Sequence, residues 1–381
     1  MSAPARPGLN APAFENVQVA LSAWIAAGRI AGAVVLIERH GVLRLFEALG
    51  QQDPARGIAM REDSIFRIYS MTKPIVSVAV MQLAECGRVL LRDPVAKYLP
   101  EFAGAHVGVD GAAPKRAMTV HDLLRHTAGM TYEFHEPSPV RKLYTAAKLY
   151  SRGRTNVDHV KTLAALPLMH EPGSVWDYSR ATDVLGRLVE VLVDTPLGDH
   201  LKAAIFDPLG MTDTGFSVAA DQHHRLAEPL AKPPEGVALV PVFDPRLPVP
   251  AQNGGGGLMS TATDYARFVR MLANGGRHGG MRLLGRKTIE SMTADHLGPI
   301  PRANDLLPPG HGFGLGFAVK TALGEHTEPG SIGSYGWSGA AGTAFFVDPQ
   351  EGMFAIILTQ SPGLLDEVRE LFRQTVYAAI E

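Results

Sequence analysis

The chain has 381 residues, 46% of them apolar and 19% charged, with a formal net charge of −2. That balance supports a well-packed globule of one large or two ordinary domains. The near-neutral charge, free of long like-charged runs, gives no electrostatic case for nucleic acid or an anionic membrane surface as partner. One cysteine, Cys86, excludes an internal disulfide; beside Gly87 at the end of an apolar helix it reads as buried packing. No stretch reaches transmembrane length and the N-terminal residues lack an apolar signal-like run, so a cytoplasmic protein is expected.

In chain order, residues 1–13 read as a disordered arm. From Phe14 to Gly28 a 3.6-residue apolar period predicts a helix closed by glycine. Ala33 to Arg39 and Val42 to Leu49 are strand-like runs split by His40-Gly41, a hairpin signal. Ile65 to Tyr69 then delivers the chain to Ser70. Pro74 is tolerated in a first helical turn, so a helix starts at or just before Ser70 and runs to Cys86-Gly87.

The middle of the chain is mostly helical. Thr119 with Asp122 is a capping-box spacing, and helical runs follow at 141–151, 156–166 and from Thr182 to Val193. A proline-rich segment from Glu228 ends in four glycines, Gly254 to Gly257. No Gly-Lys-Ser/Thr follows them, so close backbone packing is expected rather than a phosphate cradle. A helix from about Thr263 to Ala273 comes next, with Thr261 and Asp264 at capping spacing.

Strands return at Gly314 to Val319, Tyr335 to Trp337, Ala341 to Val347 and Met353 to Thr359. A final amphipathic helix opens at Ser361-Pro362. The pattern predicts an α/β architecture of the α+β type: an antiparallel sheet flanked by helices, built from 14–75 and 255–381, with a mostly helical unit, 76–254, inserted between them. The active site is expected at their junction.

Three segments carry candidate chemistry. Ser70 and Lys73, three apart on a helix, share a face, so the amine can take the hydroxyl proton if burial lowers its pKa. Tyr178 sits in Trp176-Asp177-Tyr178-Ser179-Arg180, on a loop before a helix; beside the cations Lys73 and Arg180 its phenol would acidify and could act as a base. In Gly336-Trp337-Ser338-Gly339-Ala340, glycine at 339 permits close approach of a substrate acyl group along a strand. No histidine spacing fits a metal site, and no Gly-x-Ser-x-Gly elbow occurs. No metal or cofactor is expected.

Ser-Met-Thr-Lys at 70–73, Tyr-Ser-Arg at 178–180 and Trp-Ser-Gly at 337–339 resemble, in order and spacing, the Ser-x-x-Lys, Tyr-x-Asn and Lys-Thr-Gly motifs of penicillin-recognising serine enzymes. Within that group the chain is most similar to class C β-lactamase-like esterases, the family VIII carboxylesterases. The resemblance implies a β-lactamase/penicillin-binding-protein-like fold. It also implies Ser70 as nucleophile, Lys73 as its proton partner and Tyr178 as general base and later acid. Backbone N–H groups of Ser70 and Ala340 would form the oxyanion hole, and Trp337, Ser338, Gly339 and Arg180 would bind substrate.

Two departures matter. Trp337 replaces the lysine that would bind a substrate carboxylate, which argues for neutral esters. Arg180 replaces an asparagine and offers a cation for an acidic substrate. The expectation is a serine carboxylesterase acting on small acyl esters through an acyl-enzyme. The alternatives are a β-lactam hydrolase or D-amino-acid peptidase, an acyltransferase using the same residues, and a catalytically silent binding protein of this fold.

Overall fold

His40 and Gly41 both adopt left-handed φ values, +52° and +73°, so the chain reverses there and β1 (Gly32–Arg39) pairs antiparallel with β2 (Val42–Asp53). The structure, a computed structural model, describes residues 14–237, 242–247 and 250–380; the arm expected at 1–13 lies outside them. A short strand β3 (Ile58–Ala59) continues the hairpin. The C-terminal third adds β4 (His311–Phe313), β5 (Ala318–Lys320), β6 (Tyr335–Gly339), β7 (Thr343–Asp348) and β8 (Met353–Thr359).

These strands form one sheet in the order β3-β2-β1-β8-β7-β6-β5-β4, with every neighbouring pair antiparallel. The two chain ends meet at its centre, where Leu36 of β1 faces Ile356 of β8. Both strands are nearly all apolar because both faces are covered.

Alternation along β1 divides the core. Val35 and Ile37 pack with Val17 and Leu21 of α1 (Glu15–Ala26) and with Phe372 and Val376 of the C-terminal helix. Val34 and Leu36 face the opposite cluster. That cluster continues through α2 (Thr72–Glu85) into α3 (Val120–Leu124), α4 (Pro139–Ala146), α5 (Asn156–Ala164) and α6 (Ala181–Val193), and takes in α7 (Ala262–Ala273). The apolar core is therefore continuous from sheet to helices. α2 is buried on every side from Thr72 to Met81.

The capping spacings hold. Thr119 and Asp122 form a reciprocal capping box on α3, and Thr261 accepts the Asp264 N–H on α7 at 3.2 Å.

Three local expectations are corrected. Of the strand expected over Gly314 to Val319, only Ala318 and Val319 are extended, as the start of β5; Gly314 to Phe317 is a turn between β4 and β5. Gly316 there has φ +97°, and a Cβ would lie 2.4 Å from Ser77 Oγ of α2. The last helix, α8 (Leu365–Tyr377), begins later than Ser361, whose N–H is given to the Ala341 carbonyl at 2.7 Å and whose hydroxyl bonds Thr359 at 3.0 Å. Cys86 is exposed, because α2 has already ended and Gly87, at φ +70°, turns the chain away from the core. Among the described residues no helix is long and apolar enough to cross a membrane.

Candidate active site

Ser70 lies on a tight turn, Tyr69–Met71, that feeds directly into α2. Tyr69 holds φ +43°, a left-handed conformation uncommon for a bulky side chain, so surrounding contacts must fix it. They are numerous. Phe66 and Arg67 pair with Ser260 and Met259; Ile68 donates its N–H to Leu258 O at 3.1 Å; and Tyr265 Oη donates to Met71 O at 2.9 Å. The Gly254–Gly257 run packs here as expected. A Cβ at Gly254 would meet Thr182 O at 2.6 Å, and one at Gly257 would meet Phe216 at 2.8 Å.

Lys73, one turn along α2, is 1% exposed. Its Nζ lies 3.2 Å from Ser70 Oγ, 3.1 Å from Tyr132 Oη and 2.5 Å from Gly255 O. Burial disfavours the ammonium and dominates; Asp183 opposes the shift and Arg180 reinforces it, leaving the amine at about 7. An amine there is poised to accept a proton at neutral pH.

Tyr178 completes the group. Lys73 Nζ sits 4.6 Å from the centre of its ring, and Trp337 Nε1 donates to its Oη at 3.1 Å. Here the electrostatic expectation is corrected. Burial pushes the Tyr178 phenol up, against hydrogen bonds from Ser70 and Trp337 and against the charge of Arg180. The phenol therefore keeps its proton at neutral pH, and the amine beside the Ser70 hydroxyl is that of Lys73.

Arg180 also differs from expectation. It borders the cavity, but it pairs with Glu133 through a short contact and with Asp183 at 3.4 Å. Its charge is already met by two carboxylates, so it buttresses Tyr132, over whose ring it lies at 4.8 Å. Asp183 in turn accepts the Gly255 N–H at 2.8 Å. Sequence reasoning missed Tyr132 and Asp183. Their only signals were Tyr132 lying three residues past Gly129 and Asp183 lying three past Arg180.

A cavity of about 540 Å³ opens at Ser70, and its lining includes Trp337, Ser338, Ala340, Phe243 and Arg152. Gly339 does not line it. A Cβ there would sit 2.3 Å from Ile68 O and 2.4 Å from Thr343 Oγ1, so this glycine brings β6 against the segment leading to Ser70, rather than admitting substrate.

The Beta-lactamase family model matches residues 16–379. The chain belongs to the Beta-lactamase family. It is 35% identical over 350 residues to Protein Rv1367c of Mycobacterium tuberculosis (strain ATCC 25618 / H37Rv), covering 88% of this chain and 86% of that one. It is 33% identical over 371 residues to Esterase EstB of Burkholderia gladioli, covering 92% and 91%. Among solved structures it superposes with a TM-score of 0.82 and 28% identity on EstCE1, described as a hydrolase with promiscuous acyltransferase activity, covering 96% and 99%. The fold is the expected β-lactamase/penicillin-binding-protein type, and the likeness to family VIII esterases stands.

In this Beta-lactamase-family chain Gly339 fixes where β6, and with it Ala340, meets the segment leading into the Tyr69–Met71 turn. Gly339→Ala is expected to cost about 1–3 kcal/mol of stability through overpacking and to lower kcat more than KM. Thermal melts alongside ester kinetics check both.

Proposed function

We propose that the protein is a serine carboxylesterase that hydrolyses esters of small acyl groups through an acyl-enzyme on Ser70. The observation that carries this reading is the buried amine of Lys73, 3.2 Å from the Ser70 hydroxyl and with a pKa of about 7. Esterase relatives and the apolar ring at 337, where a cation would hold a lactam carboxylate, support the ester class.

In the proposed acylation, neutral Lys73 takes the Ser70 proton as Oγ attacks the ester carbonyl. The developing oxyanion is received by the backbone N–H groups of Ser70 and Ala340. Tyr178, its oxygen held by the Trp337 N–H, gives its proton to the departing alcohol and is reprotonated by the Lys73 ammonium. Water then attacks the acyl-enzyme, losing its proton to the same pair, and Ser70 recovers its proton as the acid leaves. Trp337, Ser338, Val242 and Phe243 all line the cavity; in this reading the first two would face the acyl group and the last two, from the proline-rich segment, the alcohol.

The same acyl-enzyme can pass its acyl group to an alcohol instead of water, a reading favoured by the likeness to EstCE1. A panel of 4-nitrophenyl butyrate and nitrocefin, with Ser70→Ala as control, tests the proposal. Ester hydrolysis abolished by Ser70→Ala, with much slower lactam turnover, is expected. Preferred lactam turnover, or an unchanged Ser70→Ala rate, refutes it. Failure of a fluorophosphonate to modify Ser70 would favour a silent binding protein.

A further inference from the structure

Three arginines line the cavity, Arg152, Arg180 and Arg369. Arg180 is paired with Glu133 and Asp183, and Arg369 with Glu328 and Asp366. Arg152 has no carboxylate partner among the described residues. One of its terminal nitrogens, Nη2, donates to Phe216 O at 3.3 Å, whereas Nη1 is buried and unpartnered. Burial, opposed by the Tyr69 phenol and joined by the Arg67 cation, works against its charge, and Arg67 is itself matched by Glu228 at 3.0 Å. A desolvated guanidinium with an unused N–H is costly to leave unmet, and stacking over Phe243, 3.9 Å from the ring centre, compensates only part of that cost.

The position matters as much as the charge. Arg152 lines the cavity beside Phe243, the residue assigned above to the alcohol side, with its guanidinium over that ring. Tyr150 and Phe134, both 63% exposed, flank the mouth, and Phe134 stacks on Tyr132 at 4.7 Å. A flat ring ending in an anion would find aromatic faces along its length and, at its end, a guanidinium that no carboxylate neutralises.

We propose that Arg152 is an anion subsite, and that the preferred substrates are esters whose alcohol part carries a carboxylate, aryl carboxylates above all. This rests on the esterase reading for its turnover arm. It also revises the expectation of wholly neutral esters: the motif lysine is absent at 337, and the cation for an acidic substrate is supplied by Arg152 rather than by Arg180.

The test has a binding arm and a turnover arm. In the first, calorimetry compares 4-hydroxybenzoate with its methyl ester on wild-type protein, Arg152→Gln and Arg152→Lys. About tenfold tighter binding of the anion by wild type is expected, lost in Arg152→Gln and partly kept in Arg152→Lys. Equal affinities, or an anion preference that survives Arg152→Gln, overturn the proposal whether or not the protein is an esterase. In the second, kcat/KM is compared for 4-acetoxybenzoate and methyl 4-acetoxybenzoate within each variant, so that any general loss cancels in the ratio. A ratio of about ten that falls to about one in Arg152→Gln supports the subsite. A preference seen only when the carboxylate is on the acyl group, as in 4-nitrophenyl hydrogen glutarate, overturns the alcohol-side placement. No turnover of any ester, with the binding difference intact, refutes the esterase reading and leaves the anion subsite standing.

Discussion

Replacing Lys73 with methionine is expected to lower kcat/KM for 4-nitrophenyl esters by about a thousandfold, the scale of a lost general base that also activates the nucleophile. Methionine has a similar length and no charge, so the site stays filled. The affected step is removal of the Ser70 proton, which the amine is placed to perform at 3.2 Å. The sign of the pH dependence follows from burial. The amine titrates near 7 instead of the usual lysine range, so it is neutral above about pH 7 and protonated below. Wild-type log kcat/KM should therefore level off above that value and fall by about one unit per pH unit beneath it. A stopped-flow pH series on both proteins checks this. A wild-type profile flat from pH 5 to 9, or near-normal rates in Lys73→Met, would remove Lys73 from the role of base.

The second large effect is expected for Tyr178→Phe, with a signature that separates proton donation from packing. The raised phenol pKa leaves Tyr178 protonated at neutral pH, with its oxygen anchored by Trp337 Nε1 at 3.1 Å. Its proton is needed most when the departing alcohol is a poor leaving group. Ethyl butyrate hydrolysis should fall by about a thousandfold, whereas 4-nitrophenyl butyrate, whose phenolate leaves unaided, should lose about tenfold or less in that step. Equal losses on both esters would assign Tyr178 to positioning. Near-normal rates on ethyl butyrate would exclude it from proton transfer.

Much of the frame was legible locally. His40-Gly41 gave the hairpin, Thr119/Asp122 and Thr261/Asp264 gave helix starts, and Pro74 placed the first turn of α2, because each is a short-range backbone effect. The Ser70–Lys73 spacing and the two distant motifs come together at one cavity. What escaped depends on partners far along the chain. The groups that complete the Lys73 site, Tyr132 and Gly255, are 59 and 182 residues away. The same distance hid the carboxylates around Arg180, since an arginine in sequence carries a charge but not its neutralising partner. It also hid the sign of the Tyr178 shift, which burial sets against the adjacent cations. Gly339 was correctly marked as a site of close approach. Only the structure identifies Ile68, not substrate, as what approaches.

Enclosure of α2 from Thr72 to Met81 has an evolutionary corollary. From Thr72 to Met81 no side chain on this helix faces water, so almost any change there disturbs packing and reactivity together. Residues at the mouth, Phe134, Tyr150 and Phe243, are supported by few such constraints. Drift among homologues, or a mutagenesis library, can remodel the guest a cavity admits by altering those rim positions while its reactive centre is inherited unchanged. New specificities in this scaffold should therefore arise at the entrance and almost never at the helix.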